Sequence, residues 1–141
     1  MSSKEPQWEH FNHEADIGIR GYGATLDEAF AAAGLALTAV ITEPERVAAK
    51  VRVVIDICEN DPEWQFFEFI NAIIYEMATR HMLFRRYRVH LKGAKLHAEA
   101  LGEPVDPKRH QPAVEIKGAT LTELRVKAEK PGWSAQCVVD V

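Results

Sequence analysis

The chain is short of several things, and each shortage closes off a class of function. Cysteine occurs twice in 141 residues, at Cys58 and Cys137. With no Cys-x-x-Cys spacing, a cysteine-based zinc site and a disulfide framework are both unsupported. Both thiols are expected to be reduced and buried in strands. No run of about 18 uncharged apolar residues occurs, and the start, Met1-Ser-Ser-Lys-Glu-Pro-Gln7, has no apolar signal core; no membrane partner is expected and the cytoplasm is the default location. An excess of basic charge is missing too. Lys and Arg number 17 against 21 Asp and Glu, a formal charge of −4, which argues against a general nucleic-acid coat but leaves room for a local RNA contact. There is no Gly-x-x-x-x-Gly-Lys-Ser/Thr loop, no Gly-x-Gly-x-x-Gly after a strand and no Gly-x-Ser-x-Gly elbow. No nucleophile stands beside an evident base, so independent catalysis has no support in the residues.

What is present is periodicity. The length suits one domain with its own core, expected over residues 11–141 behind a polar tail at 1–10. Thr25-Leu-Asp-Glu28 is a capping box that opens a helix with the stripe Leu26, Phe30, Ala33, Leu37 and Val40, ending before Pro44. Asp61-Pro62 opens a second, with Phe66, Ile70, Ile73 and Met77 on one side and Phe67 and Ile74 widening it. Alternating apolar residues predict strands over Val51–Cys58, Val114–Thr120, Leu124–Ala128 and Trp133–Val141, and a hairpin of Tyr87–Leu91 with Leu96–Leu101. The fold class read from this order is α+β, two helices packed on a largely antiparallel β-sheet.

The closing strand carries the first candidate site. Asp140 and the terminal carboxylate of Val141 would be held still by a sheet, and Asp16 stands at the start of the strand-like run Ile17–Tyr22. These are hard oxygen donors, suited to Mg²⁺, Mn²⁺ or Ca²⁺ rather than zinc. His13 is placed either to ligate or to orient Asp16. Gly102-Glu-Pro-Val-Asp-Pro-Lys-Arg-His110 reads as a charged loop, either functional or simply solvated. Beyond it, Glu115 and Lys117 share one strand face, where the lysine could meet a phosphate or a ligand carboxylate.

Taken together, His13-x-Ala-Asp16-Ile-Gly-Ile, Gly21-Tyr-Gly with Thr25-Leu-Asp-Glu-Ala-Phe30, Gly102-Glu-Pro-x-Asp-Pro-x-Arg-His110, Glu115-Ile-Lys117 and Trp133…Val139-Asp-Val141 resemble the archease family across nearly the whole chain. The resemblance implies a non-catalytic protein cofactor of an RtcB-type RNA ligase. Such a ligase uses GTP and Mn²⁺ to join RNA ends through a guanylylated histidine. The cofactor promotes guanylylation and repeated turnover in tRNA splicing and RNA repair, meeting RNA only through the ligase. It further implies a metal held by Asp16, Asp140 and Val141, and a functional lysine at Lys117. Around that lysine the chain departs from the family pattern, with Gln111-Pro-Ala-Val before Glu115 and Gly118-Ala-Thr after it; Glu14 likewise stands where threonine is common. The competing readings are a stand-alone metal-dependent phosphoesterase and a chaperone-like modulatory domain with a structural metal.

Overall fold

Two side-chain caps start the long helices where the sequence places them. The structure, a computed structural model, describes residues 6–141. Strands β1 (Gln7–His13) and β2 (Asp16–Gly23) lead into α1 (Leu26–Ile41), where the Thr25 hydroxyl accepts from the Glu28 N–H at 3.2 Å. Glu28 reaches back to the Ala24 N–H at 3.0 Å, one residue beyond the cap itself. After a 3-10 turn at Pro44–Arg46 comes β3 (Val51–Cys58), and then α2 (Pro62–Arg80). Asp61 caps α2 by accepting from Glu63 and Trp64, at 2.8 and 3.3 Å. His81 closes α2 in the left-handed conformation, φ 55°. The hairpin β4 (Met82–Lys92) and β5 (Lys95–Pro104) follows at once, then a four-residue α3 (Pro107–His110), β6 (Gly118–Ala119), β7 (Arg125–Glu129) and β8 (Gly132–Asp140).

The α+β class and the antiparallel pairing hold, and the strands divide into two sheets. One has the order β1-β2-β8-β6, with β7 also on β8, and the other β3-β5-β4. Helix α1 packs on β2 and β8 of the first and on β4 of the second. Its burial is therefore not a single stripe: Ala29, Phe30, Ala32, Ala33, Leu35, Ala36, Leu37 and Val40 are all buried, as in a helix enclosed on most sides. Each fully buried Phe or Leu among them contributes about 1.5–3 kcal/mol. The close approach to β2 is possible because Gly21 has no side chain. A Cβ there would lie 2.3 Å from the Ala29 carbonyl oxygen and the Ala33 nitrogen. On the other side Thr38 donates to the Phe84 carbonyl at 2.9 Å and shares a 2.8 Å hydrogen bond with the Tyr87 hydroxyl.

Several expectations are corrected. Residues 7–10, expected in the tail, pair with β2 through Gln7↔Tyr22 to His10↔Ile19; their polar side chains mark the solvent side of an edge strand. On α2 it is Phe69 that is fully buried, while Phe67 lies at the margin in edge contact with Trp64. Cys58 is exposed, because Val53 and Ile55 take the inward positions of β3 and leave Val54, Asp56 and Cys58 outward. Cys137 is buried as expected, which pushes its thiol up to about 12. The stretch Val114–Lys117 is not a strand. Gln111 turns left-handed at φ 45° and Pro112 lacks a donor, so a ladder on β8 forms only at Gly118 and Ala119.

Gly21→Ala is expected to destabilise the protein by about 3 kcal/mol, through overpacking against main chain that cannot rotate away. Urea unfolding measures it, and an unchanged midpoint would mean that α1 does not sit this close to β2.

Candidate functional site

The turn between β1 and β2 is only Glu14 and Ala15, with Glu14 left-handed at φ 54°. So tight a turn sets His13 directly opposite Asp16. Strand β2 then pairs with β8 in the register Ile17↔Val139, and one more step of that register brings Asp16 beside Asp140. Residues opposite each other on antiparallel strands point to the same face, with Cβ atoms about 4.5–5.5 Å apart. On the far side of β8, Gly118 pairs with Asp140, and the Lys117 N–H donates to the Asp140 carbonyl at 2.7 Å. Asn71 of α2 secures this segment by accepting from the Ala119 N–H at 2.9 Å. One end of the sheet thus gathers His13, Asp16, Asp140, Val141 and Lys117 from three separated stretches of sequence.

At this end Asp140 is exposed, while Asp16, His13 and Val141 are half-buried. Among the described residues, no ion pair or side-chain hydrogen bond occupies Asp16, Asp140, His13 or Lys117. Glu115 and Lys117 are exposed on either side of the buried Ile116, so they keep the shared outward direction without the strand ladder. Among the described residues no group of three or more His, Cys, Asp or Glu side chains is placed to hold a metal ion. Were a hard divalent cation held at this end, the side-chain oxygens available to it would be those of Asp16 and Asp140.

The charged loop expected at 102–110 turns out differently. Gly102–Pro104 is the end of β5, and Glu103 and His110 are buried, at 3% and 1% exposure. His110 Nδ1 accepts from the Asp106 N–H at 2.8 Å, which leaves the proton on Nε2 to be donated to Glu103 at 2.8 Å. The Ala48 N–H and the Arg109 guanidinium also bind this carboxylate, at 2.9 and 2.7 Å. Burial opposes its charge, but the Ala48 N–H, Arg109 and His110 outweigh that and hold the carboxyl down at about 2. The cluster ties β5 to the segment after α1, and it faces inward. A second cluster that sequence reasoning missed lies on the outer face of the first sheet. Arg20 donates to Glu9 at 2.6 Å and to Gln136 at 2.7 Å, and lies 4.6 Å from the Phe11 ring centre. The only signal for it was the alternation of Arg20 with Ile19 and Gly21.

The structure is a two-sheet α+β domain whose acidic sheet end, among the described residues, has no side-chain partner. The chain belongs to the archease family: the model of the Archease protein family matches residues 8–141. It is 38% identical to protein archease of Pyrococcus furiosus over 140 residues, covering 96% of this chain and 99% of that one. The figure for protein archease of Thermococcus kodakarensis is 34%, with the same coverage. The solution structure of protein 1598 of Methanobacterium thermoautotrophicum shares the fold, with a TM-score of 0.77 at 24% identity over 95% of this chain and 98% of that one. So does a crystal structure of an archease from Thermotoga maritima, described as a possible chaperone, with a TM-score of 0.60 at 17% identity over 100% and 99% of the two chains. No helix among the described residues is long and apolar enough to cross a membrane.

The Glu103 cluster makes a pH prediction. A carboxyl held at about 2, against 4.5 when unperturbed, contributes stability in full above 4.5 and loses it as the pH falls toward 2. Glu103→Gln is expected to remove about 2–3 kcal/mol near neutral pH, and to flatten that acid limb in urea titrations. An unchanged acid limb would show that the carboxylate is not held by these partners.

Proposed function

We propose that the chain is a non-catalytic activator of an RtcB-type RNA ligase, promoting guanylylation of the ligase and its repeated turnover in tRNA splicing and RNA repair. The observation that carries this reading is the register that sets Asp16 beside Asp140 at an exposed sheet end, in a chain of the archease family. Asp16, Asp140 and Val141 are the residues that would hold a divalent ion, Ca²⁺, Mg²⁺ or Mn²⁺, with two carboxylates from the chain and further oxygens from main chain, water or the partner. When bound, such an ion lowers the cost of negative charge on phosphate oxygens. Lys117, tied through its main chain to Asp140, adds a cation at the same end, and Glu115 lies beside it. His13 stands opposite Asp16 on β1. The ligase supplies the GTP site and the nucleophile. This chain contributes the position of its carboxylates and lysine.

The test is single-turnover guanylylation of the cognate ligase with wild-type protein, Asp16→Ala, Asp140→Ala and Lys117→Ala. Wild type is expected to accelerate the reaction, and each variant to lose at least tenfold of that acceleration, on the order of the effect of removing one charge-stabilising group. Equal acceleration by both aspartate variants would take the acidic end out of the mechanism. No acceleration by any protein would favour a chaperone-like role, the description carried by the Thermotoga maritima relative.

A further inference from the structure

We propose that the chain also binds single-stranded RNA directly, with one base in a cavity beside Trp8 and successive phosphates along the outer row of β4. The cavity, of about 410 Å³, opens between β1, α1 and the start of β4, and is lined by Trp8, Leu35, Pro44, Glu45, Arg85 and Arg86 among others. That is within the ~300–1,000 Å³ range of small-ligand sites. Its walls combine one half-buried indole with two arginines, a combination that suits a flat, electron-rich ring joined to an anion. The two arginines arrive together because β4 is irregular. Its register with β5 shifts between Phe84 and Arg86, so Arg85 is the extra residue of a bulge, and a bulge re-aims side chains. Among the described residues neither Arg85 nor Arg86 has an ion-pair partner. Glu45 is the single carboxylate on the rim.

The cavity continues into a basic face. Beyond Arg86, the exposed residues of β4 are Arg88, His90 and Lys92, alternating with the inward-facing Tyr87, Val89 and Leu91. Residues two apart on a strand are about 6.8 Å apart, a spacing comparable to that of successive phosphates in an extended single strand. Across the same outer face, Arg52, Arg86, Arg88, Lys92 and Lys95 meet only the carboxylates Glu99 and Asp56. Three positive charges in excess therefore sit on one face of a chain whose formal charge is −4. Glu99 is shared between Arg52 at 2.9 Å and Arg88 at 3.7 Å, so one carboxylate leaves two guanidiniums underneutralised. Segregated charge of this kind, running out of an aromatic cavity, is the arrangement that tracks a flexible polyanion while stacking its bases. A duplex would have to unstack and unpair a base to fill the cavity, at a cost of about a few kcal/mol. The site lies apart from the acidic end: Trp8 and His13 are five residues apart on β1, about 17 Å. The proposal does not depend on the ligase reading.

The experiment titrates a labelled single-stranded RNA of about 12 nucleotides with the purified chain alone, read by fluorescence anisotropy over a series of salt concentrations. Wild type is expected to bind saturably at low salt and to release as salt rises. Arg86→Ala with Arg88→Ala, both exposed and so compatible with folding, should reduce the log–log salt slope by about 1.4, the share of two phosphate contacts on a single strand. Trp8→Leu should weaken binding about tenfold with little change of slope, and Trp8→Tyr should restore it. A duplex of the same length should bind more weakly. The proposal is overturned by an absence of saturable binding at low salt, or by variants that bind as wild type does. It is equally overturned if polyglutamate of matched charge competes as well as RNA, which would assign the face to an acidic protein partner.

Discussion

The contact between the bare Cα of Gly21 and the backbone of α1 sets the spacing on which the rest of the molecule is built. With β2 drawn against the helix, the alanine-rich turns of α1 meet the sheet at main-chain distance, and the larger Phe30 and Leu37 are free to fill the space toward α2 and the second sheet. Thr38 then ties the opposite side of α1 to β4 through Phe84 and Tyr87. One helix thereby serves as core for two sheets. A domain of this size gains more from such an enclosed helix than from a surface helix with one apolar stripe.

That arrangement also explains why the acidic end is well placed. Strand β8 lies between β2 on one side and β6 and β7 on the other, and Ser134 to Val139 are buried. A strand paired on both sides along its length sets the position of its last residue, Asp140. The tight turn at Glu14 and Ala15 does the same for Asp16. Fixed carboxylates with no partner of their own in the described structure leave their charge available to something outside it. The carboxylate of Glu103 is the opposite case, since its three partners satisfy it internally and its role is to hold β5 in place.

Charge is sorted across the molecule, and the overall figure hides it. Acidic groups collect where β2 starts and β8 ends, and cations collect on the outer face of β4 and around Trp8. A net charge near −4 is therefore compatible with opposite surfaces for opposite partners. The Arg20, Glu9, Tyr22 and Gln136 cluster of the first sheet is internally paired.

What the sequence determined by itself was whatever depends on neighbours along the chain. Thr25 and Asp61 cap their helices because a cap needs only the next three residues. The limits of β3 and the hairpin that became β4 and β5 were legible because alternation and a short turn are local. Asp16, Asp140 and Lys117 were singled out from motifs, but their meeting was decided by the β2–β8 and β6–β8 registers, which no local pattern contains. Tertiary structure alone decided that Phe69 rather than Phe67 is buried, that Cys58 faces out, and that Gln7–His10 form an edge strand. It also placed Glu103 and His110, read as part of a charged loop either functional or solvated, in a buried, paired cluster. The physical reason is common to all of these: periodicity says which residues share a face, whereas burial and pairing depend on what the rest of the chain brings against that face.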